Sequence, residues 1–364
     1  PKAADHFITV TPSLALLLDS NWFGQDANSV AQVGVQQDKL ELRAMRFGVR
    51  GGLFHGRLQY QVAGEYKGFD GDPNTDWQLT DLNVTLPLND RTKLTFGKQK
   101  EPFAYEMVGD AVNLQAQERL LNPFFVSRNT GVRFQAVLFP EKRGTFSVGV
   151  YNDTIDPGRV GDARGWDMAA RATALIWAPA GSQDFVHLGL GWRHVGADGS
   201  LRYRGRPGSN AASNFIDTGN FPADSAEHFG VEGMVGLGGL LVQGEWLQAQ
   251  VDAPQRGSPT FSGWYVTGSW VLTGEARPYD RNVGYARRVV PKGRWGAPEI
   301  VARYGEADLA DAAVDGGVMR RIDLGVNWWA TTRWKYGIGW GHVWLDKGGT
   351  QGETDTLLAR LHWV

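Results

Sequence analysis

Apolar and polar residues alternate along much of the chain with a period of two. In residues 57–67, Leu58, Tyr60, Val62 and Tyr66 fall on one face, and mostly polar residues fall on the other. Successive side chains of a β-strand point to opposite faces, so this pattern predicts strands with one apolar face. The same pattern recurs in residues 145–152, 185–194, 321–328 and 356–364. No segment shows helical periodicity of comparable quality, and we therefore predict an all-β protein.

The links between the predicted strands alternate between short and long. Short links cover residues 51–56, 87–91, 140–144, 179–184, 237–239 and 330–333. Long polar links cover residues 19–38, 68–76, 101–130, 153–165, 195–228, 250–260, 305–319 and 345–355. Tight turns at one end and large loops at the other are typical of outer-membrane β-barrels. Eight long loops predict a transmembrane antiparallel barrel of 16 strands, although residues 274–294 form a long link where a short one is expected, which leaves the count open by about two.

Composition narrows the possible chemistry. The 364 residues contain no Cys, which excludes disulfides and thiolate metal sites. No uncharged apolar run reaches the roughly 18 residues of a membrane-spanning helix, so a helical membrane protein is excluded. A net charge of −2 argues against a nucleic-acid partner. We expect residues 1–364 to form one barrel domain embedded in outer-membrane lipid, with a signal peptide already removed, because residues 1–6 lack its pattern.

Aromatic residues cluster near the predicted strand ends. Tryptophan provides many of them, at positions 22, 77, 166, 177, 264, 270, 328, 329, 334, 340 and 363. Rings with an apolar body and a polar tip favour the two membrane interfaces. The alternative is that these rings form a core or bind sugars.

Several segments resemble the phosphate- and polyphosphate-selective porins of the O and P type. They are residues 43–49 (RAMRFGV), 97–103 (GKQKEPF), 128–133 (RNTGVR), 217–220 (DTGN), 244–246 (GEW), 263–266 (GWYV) and 272–275 (LTGE). The resemblance implies a 16-stranded barrel that assembles as a homotrimer, with the third extracellular loop folded inward to form a constriction. It also implies passive diffusion of phosphate, polyphosphate or other small anions along an arginine-lined lumen in the bacterial outer membrane.

Three arginines occur at alternate positions: Arg202, Arg204 and Arg206. In an extended backbone their side chains point the same way, about 7 Å apart. The planar guanidinium group can form two parallel hydrogen bonds to one phosphate, so an anion moving along such a row keeps one contact while it forms the next. The family resemblance implies that this run is the fifth-loop part of an arginine ladder. A solvated basic stripe on a loop is the alternative.

Arg46 and Arg50 alternate with apolar residues on the second predicted strand. If Met45 and Phe47 face lipid, both arginines face the lumen. A charge facing lipid at mid-membrane costs roughly 2–4 kcal/mol, which favours the inward assignment. Arg43 shares parity with Met45, so we expect it near the lipid headgroups.

Lys98 and Lys100 come just before the third long loop. Strict alternation places them with Leu94 and Phe96 on the outward face. A lumen position requires a bulge at Gly97. We include both lysines among the candidate anion contacts.

Arg119 and Arg128 lie in the third loop and Arg133 follows it. An inward-folded loop would bring these charges to the narrowest point, where low-dielectric walls focus their field. The same alternation places Arg171, Arg193 and Arg303 inward. Some of the loop carboxylates, at positions 101, 106, 110 and 118, must then pair with basic residues, and a structural salt bridge is the alternative role for each arginine.

Other classes of function are less well supported. The seven histidines show neither His-x-x-x-His spacing nor a Gly-x-Ser-x-Gly partner, so we predict no enzyme, no metal site and no cofactor. A barrel that passes sugars or other small solutes along an aromatic slide remains open, as does a soluble carbohydrate-binding β-protein.

Overall fold

The computed structural model describes residues 6–66, 77–152 and 165–364. Sixteen strands form a closed antiparallel barrel in which each strand pairs with its neighbours in sequence. They are β1 (Thr11–Gln25), β2 (Lys39–Leu53), β3 (Leu58–Tyr66), β4 (Trp77–Pro87), β5 (Thr92–Gln99), β6 (Asn129–Leu138), β7 (Gly144–Asn152), β8 (Asp167–Trp177), β9 (Phe185–Gly196), β10 (Ser225–Leu237), β11 (Leu240–Asp252), β12 (Thr260–Val271), β13 (Ala297–Asp311), β14 (Val314–Trp329), β15 (Trp334–Lys347) and β16 (Thr350–Trp363). Leu16 of β1 lies opposite Trp363 of β16, which closes the sheet. The predicted strand number is confirmed.

The period-two pattern determines which side chains face outward. In β10 and β11, Val231 and Val242 are exposed on the outer surface, whereas Glu232, Gln243 and Glu245 are buried inside the barrel. Apolar residues outside and polar residues inside reverse the arrangement of a soluble protein and match a barrel in lipid.

Helical segments are few. They are α1 (Ala27–Val33), α2 (Tyr105–Val108) and the 3-10 turns Ala111–Asn113, Asn122–Phe124, Pro140–Lys142 and Pro254–Arg256. Within the three described ranges, no helix is both long and apolar enough to cross a membrane. Three two-residue ladders complete the structure: Ser200–Leu201 with Phe221–Pro222, Arg204–Gly205 with Ile216–Asp217, and Tyr279–Asp280 with Tyr285–Ala286.

Two of the predicted long loops are wrong. Strands β13 and β14 continue through residues 305–319 and join in a turn at 312–313, and β15 and β16 continue through 345–355 and join at 348–349. These hairpins contain polar residues on their outer face, such as Glu306. A polar outer face hides the apolar alternation, so the sequence resembles a loop. The predicted long links at 68–76 and 153–164 lie outside the described residues.

The link between β12 and β13, residues 272–296, is long although it lies at the end where the other links are short. It contains only a two-residue ladder, so the count of 16 barrel strands is unaffected. Arg171 of β8 donates to the carbonyl oxygen of Val283 at 3.0 Å, and Gln135 of β6 donates to that of Asn282 at 2.6 Å. Both are inward-facing wall residues. The segment, called here the inward connection, therefore folds into the barrel.

The third long loop, residues 100–128, also lies inside the barrel. The Tyr105 amide donates to Glu245 of β11 at 2.6 Å, and Gln115 donates to the Ser269 hydroxyl of β12 at 2.6 Å. Leu120 and Leu121 are fully buried. The loop thus crosses the lumen and contacts the wall on the far side.

Candidate functional site

The interior of the barrel is filled unevenly. The third long loop and the fifth long loop (197–224) pack with inward residues of β7 to β15 in one large hydrophobic cluster. Open space remains along the opposite wall, where a cavity of about 570 Å³ is lined by inward residues such as Arg50 of β2, Lys93 of β5 and Arg133 of β6. This open space lies mainly along the wall formed by β2 to β6.

A small basic cavity lies between the third long loop and strands β1 to β5 and β16. We call it the basic cluster; its free volume is about 50 Å³. Its charged residues are Arg43, Arg46, Lys98, Lys100, Arg119, Arg128 and Arg360, with Glu65 and Glu118 as the acidic members. Three further carboxylates, those of Asp19, Asp81 and Asp110, pair with Arg360, Arg128 and Lys100. Seven basic groups against these five carboxylates give an excess of two positive charges. Low-dielectric walls focus such a field on any ion inside.

A β-bulge places Arg43 in the basic cluster. Leu17 pairs with Ala44 but Leu18 pairs with Leu42, so Arg43 is the extra residue of β2. Its guanidinium group is buried and donates to Glu118 of the third loop at 2.7 Å. The expected position of Arg43 near the headgroups is therefore wrong, because a bulge shifts the parity on which that expectation rested.

Gly97 gives Lys98 its inward position. Gly97 adopts a φ of 109°, and a β-carbon there would lie 2.2 Å from the Leu82 carbonyl oxygen. Thr95 and Lys98 are consequently both buried and inward although they are three residues apart. The predicted bulge is wrong, because both strands that flank β5 pair through Gly97 without a shift of register. The left-handed backbone of Gly97 turns Lys98 inward instead.

We expect Gly97→Ala to destabilise the folded barrel by about 1–3 kcal/mol, because the new side chain would strain a left-handed backbone and meet a carbonyl group. Urea unfolding in detergent, followed by heat-modifiable migration on gels, measures the change. Gly268→Ala is the matched control, since a β-carbon there has open space. Equal stability of the two variants would contradict the role assigned to Gly97.

Lys100 and Asp110 form an ion pair within the third long loop. The Lys100 ammonium donates to Asp110 at 2.9 Å and to the Gly109 carbonyl oxygen at 3.0 Å. Burial lowers the pKa of Lys100 to about 8, although Asp110 opposes that shift. Lys100 in turn holds the pKa of the Asp110 carboxyl well below its ordinary value. The pair fixes the loop and leaves Lys100 facing the cavities on both sides of it.

Arg119 and Arg128 line the basic cluster, and both are held by the protein. Arg119 donates to the Glu106 carbonyl oxygen at 2.6 Å, and Arg128 lies 3.3 Å from Asp81. Arg128 also lines the cavity of about 570 Å³ on the open side of the barrel. It thus borders both the basic cluster and this larger cavity.

Arg46, Arg50 and Arg133 face the lumen, as predicted. Arg46 forms an ion pair with Glu65. Arg133 donates to the Lys100 carbonyl oxygen at 3.1 Å, yet its buried Nε has no hydrogen-bond acceptor. Within the described residues neither Arg50 nor Arg133 has a carboxylate within 4 Å. Their positive charges remain available to an anion.

Arg202, Arg204 and Arg206 alternate with buried Tyr203 and Gly205, so the three share one face as predicted. They lie in the fifth loop at the long-loop end of the barrel, outside the basic cluster. Arg202 forms an ion pair with Asp217 at 2.5 Å, and Arg206 donates to Asn210 at 2.5 Å.

Arg204 differs from these two neighbours. It is exposed and, in the described part of the chain, has no carboxylate within 4 Å. Arg204 is therefore the member of the triplet best placed to meet an anion at the mouth.

Other inward arginines serve mainly as structural ion pairs. Arg171 pairs with Glu232 at 2.5 Å, Arg193 with Glu101 at 2.5 Å, and Arg303 with Asp323 at 2.9 Å. These pairs lie on the filled side of the barrel or beside the loop. The described residues contain no group of three His, Asp or Glu side chains that could hold a metal ion.

Arg360 was missed by the sequence reasoning. It lies in β16, lines the basic cluster and pairs with Asp19 at 2.6 Å and Glu118 at 2.5 Å. Leu357, Ala359 and Leu361 are the outward residues of the same strand, so the alternation already placed Arg360 inward.

A family model described as "Phosphate-selective porin O and P" matches residues 18–362, nearly the whole chain. The chain belongs to this family of outer-membrane porins. The fold of the porin is similar to that of an anion-selective porin from Comamonas acidovorans, with a TM-score of 0.59, 13% identity and coverage of 98% of this chain and 100% of that one. The outer membrane channel DcaP of Acinetobacter baumannii gives a TM-score of 0.58 at 11% identity, covering 98% and 97% of the two chains.

OmpT of Vibrio cholerae gives a TM-score of 0.56 at 13% identity, covering 97% of the porin and 98% of OmpT. At such identities these likenesses show the barrel fold alone. An uncharacterized protein of Caulobacter vibrioides is 29% identical over 232 residues, which are 58% of the porin. The match spans 45% of that relative's length.

Proposed function

We propose that this porin carries phosphate or polyphosphate-type anions by passive diffusion through the lumen. The observation that carries the proposal is the basic cluster, a narrow space beside the third loop where seven basic side chains outnumber the five carboxylates that line it or pair with its arginines and lysines. A cation entering this space would meet a repulsive potential, and an anion an attractive one. We also propose that the porin works as a homotrimer, because OmpT of Vibrio cholerae, which has a similar fold, has a trimer form.

The arrangement supports transport of an anion from one positively charged side chain to the next. Exposed Arg204 meets the anion at the mouth, the basic cluster receives it beside the third loop, and Arg133 and Arg50 line the wider cavity beyond. Conduction requires that each contact be weak enough to break when the next one forms. Guanidinium groups stay protonated at ordinary pH, so selectivity should follow the protonation of phosphate more than that of the protein.

The sugar-porin alternative has less support. An aromatic slide requires a row of rings along the path, but among the described residues no Phe, Tyr or Trp lines the basic cluster, and Tyr60 and Tyr285 are the rings that line the wider cavity. Most tryptophans are exposed on the outer surface. The family is one of channels, and we propose a channel function alone.

Reversal potentials of purified trimers in a potassium chloride gradient test the proposal. We expect a clear preference for chloride over potassium and block of the chloride current by inorganic phosphate. A pore that passes potassium more readily than chloride would end the proposal, and sugar-dependent block without phosphate block would favour the sugar porin.

Arg204→Ala tests the contribution of the mouth. We expect the phosphate concentration for half-block to rise about threefold, since one exposed charge contact contributes roughly 0.2–1 kcal/mol. Arg256→Ala removes an exposed charge from the 3-10 turn Pro254–Arg256 of another long loop and is the matched control. An unchanged block constant in Arg204→Ala would show that the triplet is only a solvated stripe.

A further inference from the structure

Strands β13 to β16 are longer than a membrane-spanning strand needs to be. They contain 15, 16, 14 and 14 residues, whereas β5 and β6 contain 8 and 10. About 9–11 residues are enough for a tilted strand to cross the hydrocarbon layer. The two hairpins that these four strands form therefore extend beyond that layer.

The outward side chains of β15 show at which end the extra length lies. Trp334, Tyr336 and Ile338, at the short-turn end, are exposed, as a surface in contact with lipid requires. Trp344 lies one membrane-spanning length above Trp334 on the same strand. Rings with an apolar body and a polar tip favour the membrane interfaces, so these two tryptophans mark the two boundaries of the hydrocarbon layer. The extra length therefore lies at the long-loop end, at the level of the outer-leaflet headgroups.

Polar side chains surround Trp344 on the outer surface at this level. His342 packs edge-on against the Trp344 ring, with 4.4 Å between the ring centroids. The His342 ring also lies 3.7 Å from Glu353 and 2.9 Å from Asp355. Glu353 lies directly opposite Trp344 in the pairing of β15 with β16, and Asp346 follows Trp344 on the same face of β15. These five residues form one continuous surface, called here the Trp344 face.

The Trp344 face is negatively charged and open to the outside. The side chains of Glu353 and Asp355 are 51% and 56% exposed. Arg320 of β14 contacts the face through Asp346 at 3.2 Å, but it also pairs with Glu306 at 2.7 Å, so its charge is shared. Three carboxylates against one shared arginine repel a lipid phosphate.

A tryptophan ring among carboxylates suits a sugar. Carboxylate oxygens accept hydrogen bonds from hydroxyl groups, and the electron-rich face of an indole ring packs against the C–H groups of a sugar ring. The pattern continues on the adjacent strands, where Trp264 of β12 contacts Tyr304 edge-on at 5.7 Å and lies directly opposite Glu306. Three strand spacings, about 14 Å, separate Trp264 from Trp344, a distance that a headgroup of several sugar rings can span.

We propose that the Trp344 face binds the sugar headgroup of an outer-leaflet glycolipid, whose acyl chains lie against the apolar residues below it. The site goes beyond the proposed function, because it lies on the outside of the barrel and not in the lumen. Trp344 stacks on a sugar ring, and Glu353 and Asp355 accept hydrogen bonds from its hydroxyl groups. Binding holds the two long hairpins at a fixed depth in the membrane.

The experiment measures lipid binding by native mass spectrometry of the purified porin in a polyoxyethylene detergent, which has no sugar headgroup. The two probes are a neutral diglucosyl diacylglycerol and a phosphatidylglycerol with the same acyl chains. We expect the wild-type porin to bind the glucosyl lipid more tightly. Trp344→Ala should raise the half-saturation concentration of that lipid about fivefold, because a stacking ring is lost. Glu353→Ala should raise it about threefold, because a hydrogen-bond acceptor is lost, and it keeps the test decisive if Trp344→Ala does not fold.

Trp334→Ala is the matched control, since it removes an outward tryptophan of the same strand at the other membrane boundary, and it should leave glucosyl-lipid binding unchanged. Unchanged binding in both Trp344→Ala and Glu353→Ala would overturn the site, as would a wild-type preference for phosphatidylglycerol. Loss of oligomers in Trp344→Ala without a change in lipid binding would assign the face to a second copy of the chain and also overturn the site. Reversal potentials test the proposed function separately, because none of these variants alters a residue of the lumen.

Discussion

Arg128→Ala is expected to lower the chloride-over-potassium permeability ratio about tenfold or more. Arg128 lines both the basic cluster and the cavity of about 570 Å³, so we expect an ion that moves between these two spaces to pass it. The substitution removes one positive charge and also leaves Asp81 without its partner. A unit charge about 6 Å from an ion, at an effective dielectric constant of about 40, contributes roughly 1.4 kcal/mol, which is a factor of ten.

Reversal potentials of single trimers measure this change. Arg128→Lys preserves the charge and should retain most of the selectivity. The double variant Arg128→Ala/Asp81→Ala also removes the carboxylate that loses its partner and should recover part of the selectivity. If Arg128→Ala kept the wild-type ratio, selectivity would have to arise elsewhere in the lumen.

Arg360→Ala is expected to destabilise the folded barrel by about 3–5 kcal/mol, since removing one partner of a buried ion pair leaves uncompensated charge. Arg360 is buried between Asp19 of β1 and Glu118 of the third loop, and it also donates to the Gln117 carbonyl oxygen. Its loss should free this part of the loop as well. We therefore expect a larger single-channel conductance together with weaker anion preference.

Urea unfolding in detergent and single-channel recording check the two effects separately. Arg320→Ala is the matched control, because Arg320 also bridges two carboxylates, Glu306 at 2.7 Å and Asp346 at 3.2 Å. That triad lies on the outer face with a half-exposed arginine, so its loss should cost less than about 1 kcal/mol. Similar costs for the two variants would show that Arg360 does not anchor the loop.

The barrel itself was predictable because alternation acts locally. Each strand must present apolar residues to lipid and polar residues to water, so the polarity of residues such as Val231 and Glu232 indicates which of them faces outward and which faces inward. The tall hairpins were not predicted, because beyond the lipid both faces of a strand tolerate polar residues.

The inward orientation of the candidate site residues was predictable only on strands whose side chains alternate strictly between the two faces. Arg46, Arg50 and Arg133 were placed inward by alternation alone, whereas the bulge at Arg43 changed its direction through a pairing that a single strand does not show. The inward course of residues 272–296 was not predictable, because it depends on hydrogen bonds from the wall residues Gln135 of β6 and Arg171 of β8, which are distant in the sequence.

Sixteen strands alone would enclose a wide aqueous pore. Here the third and fifth long loops enter from one end of the barrel and the inward connection enters from the other, and together they occupy much of the cross-section. The number of strands therefore does not indicate the width of the open pore. We expect a solute to pass beside these segments, along the wall where basic side chains such as Arg50 and Arg133 line the open space. An uncharged nutrient would gain little from those charges, so we expect a lower flux than an unobstructed barrel allows, together with a preference for anions.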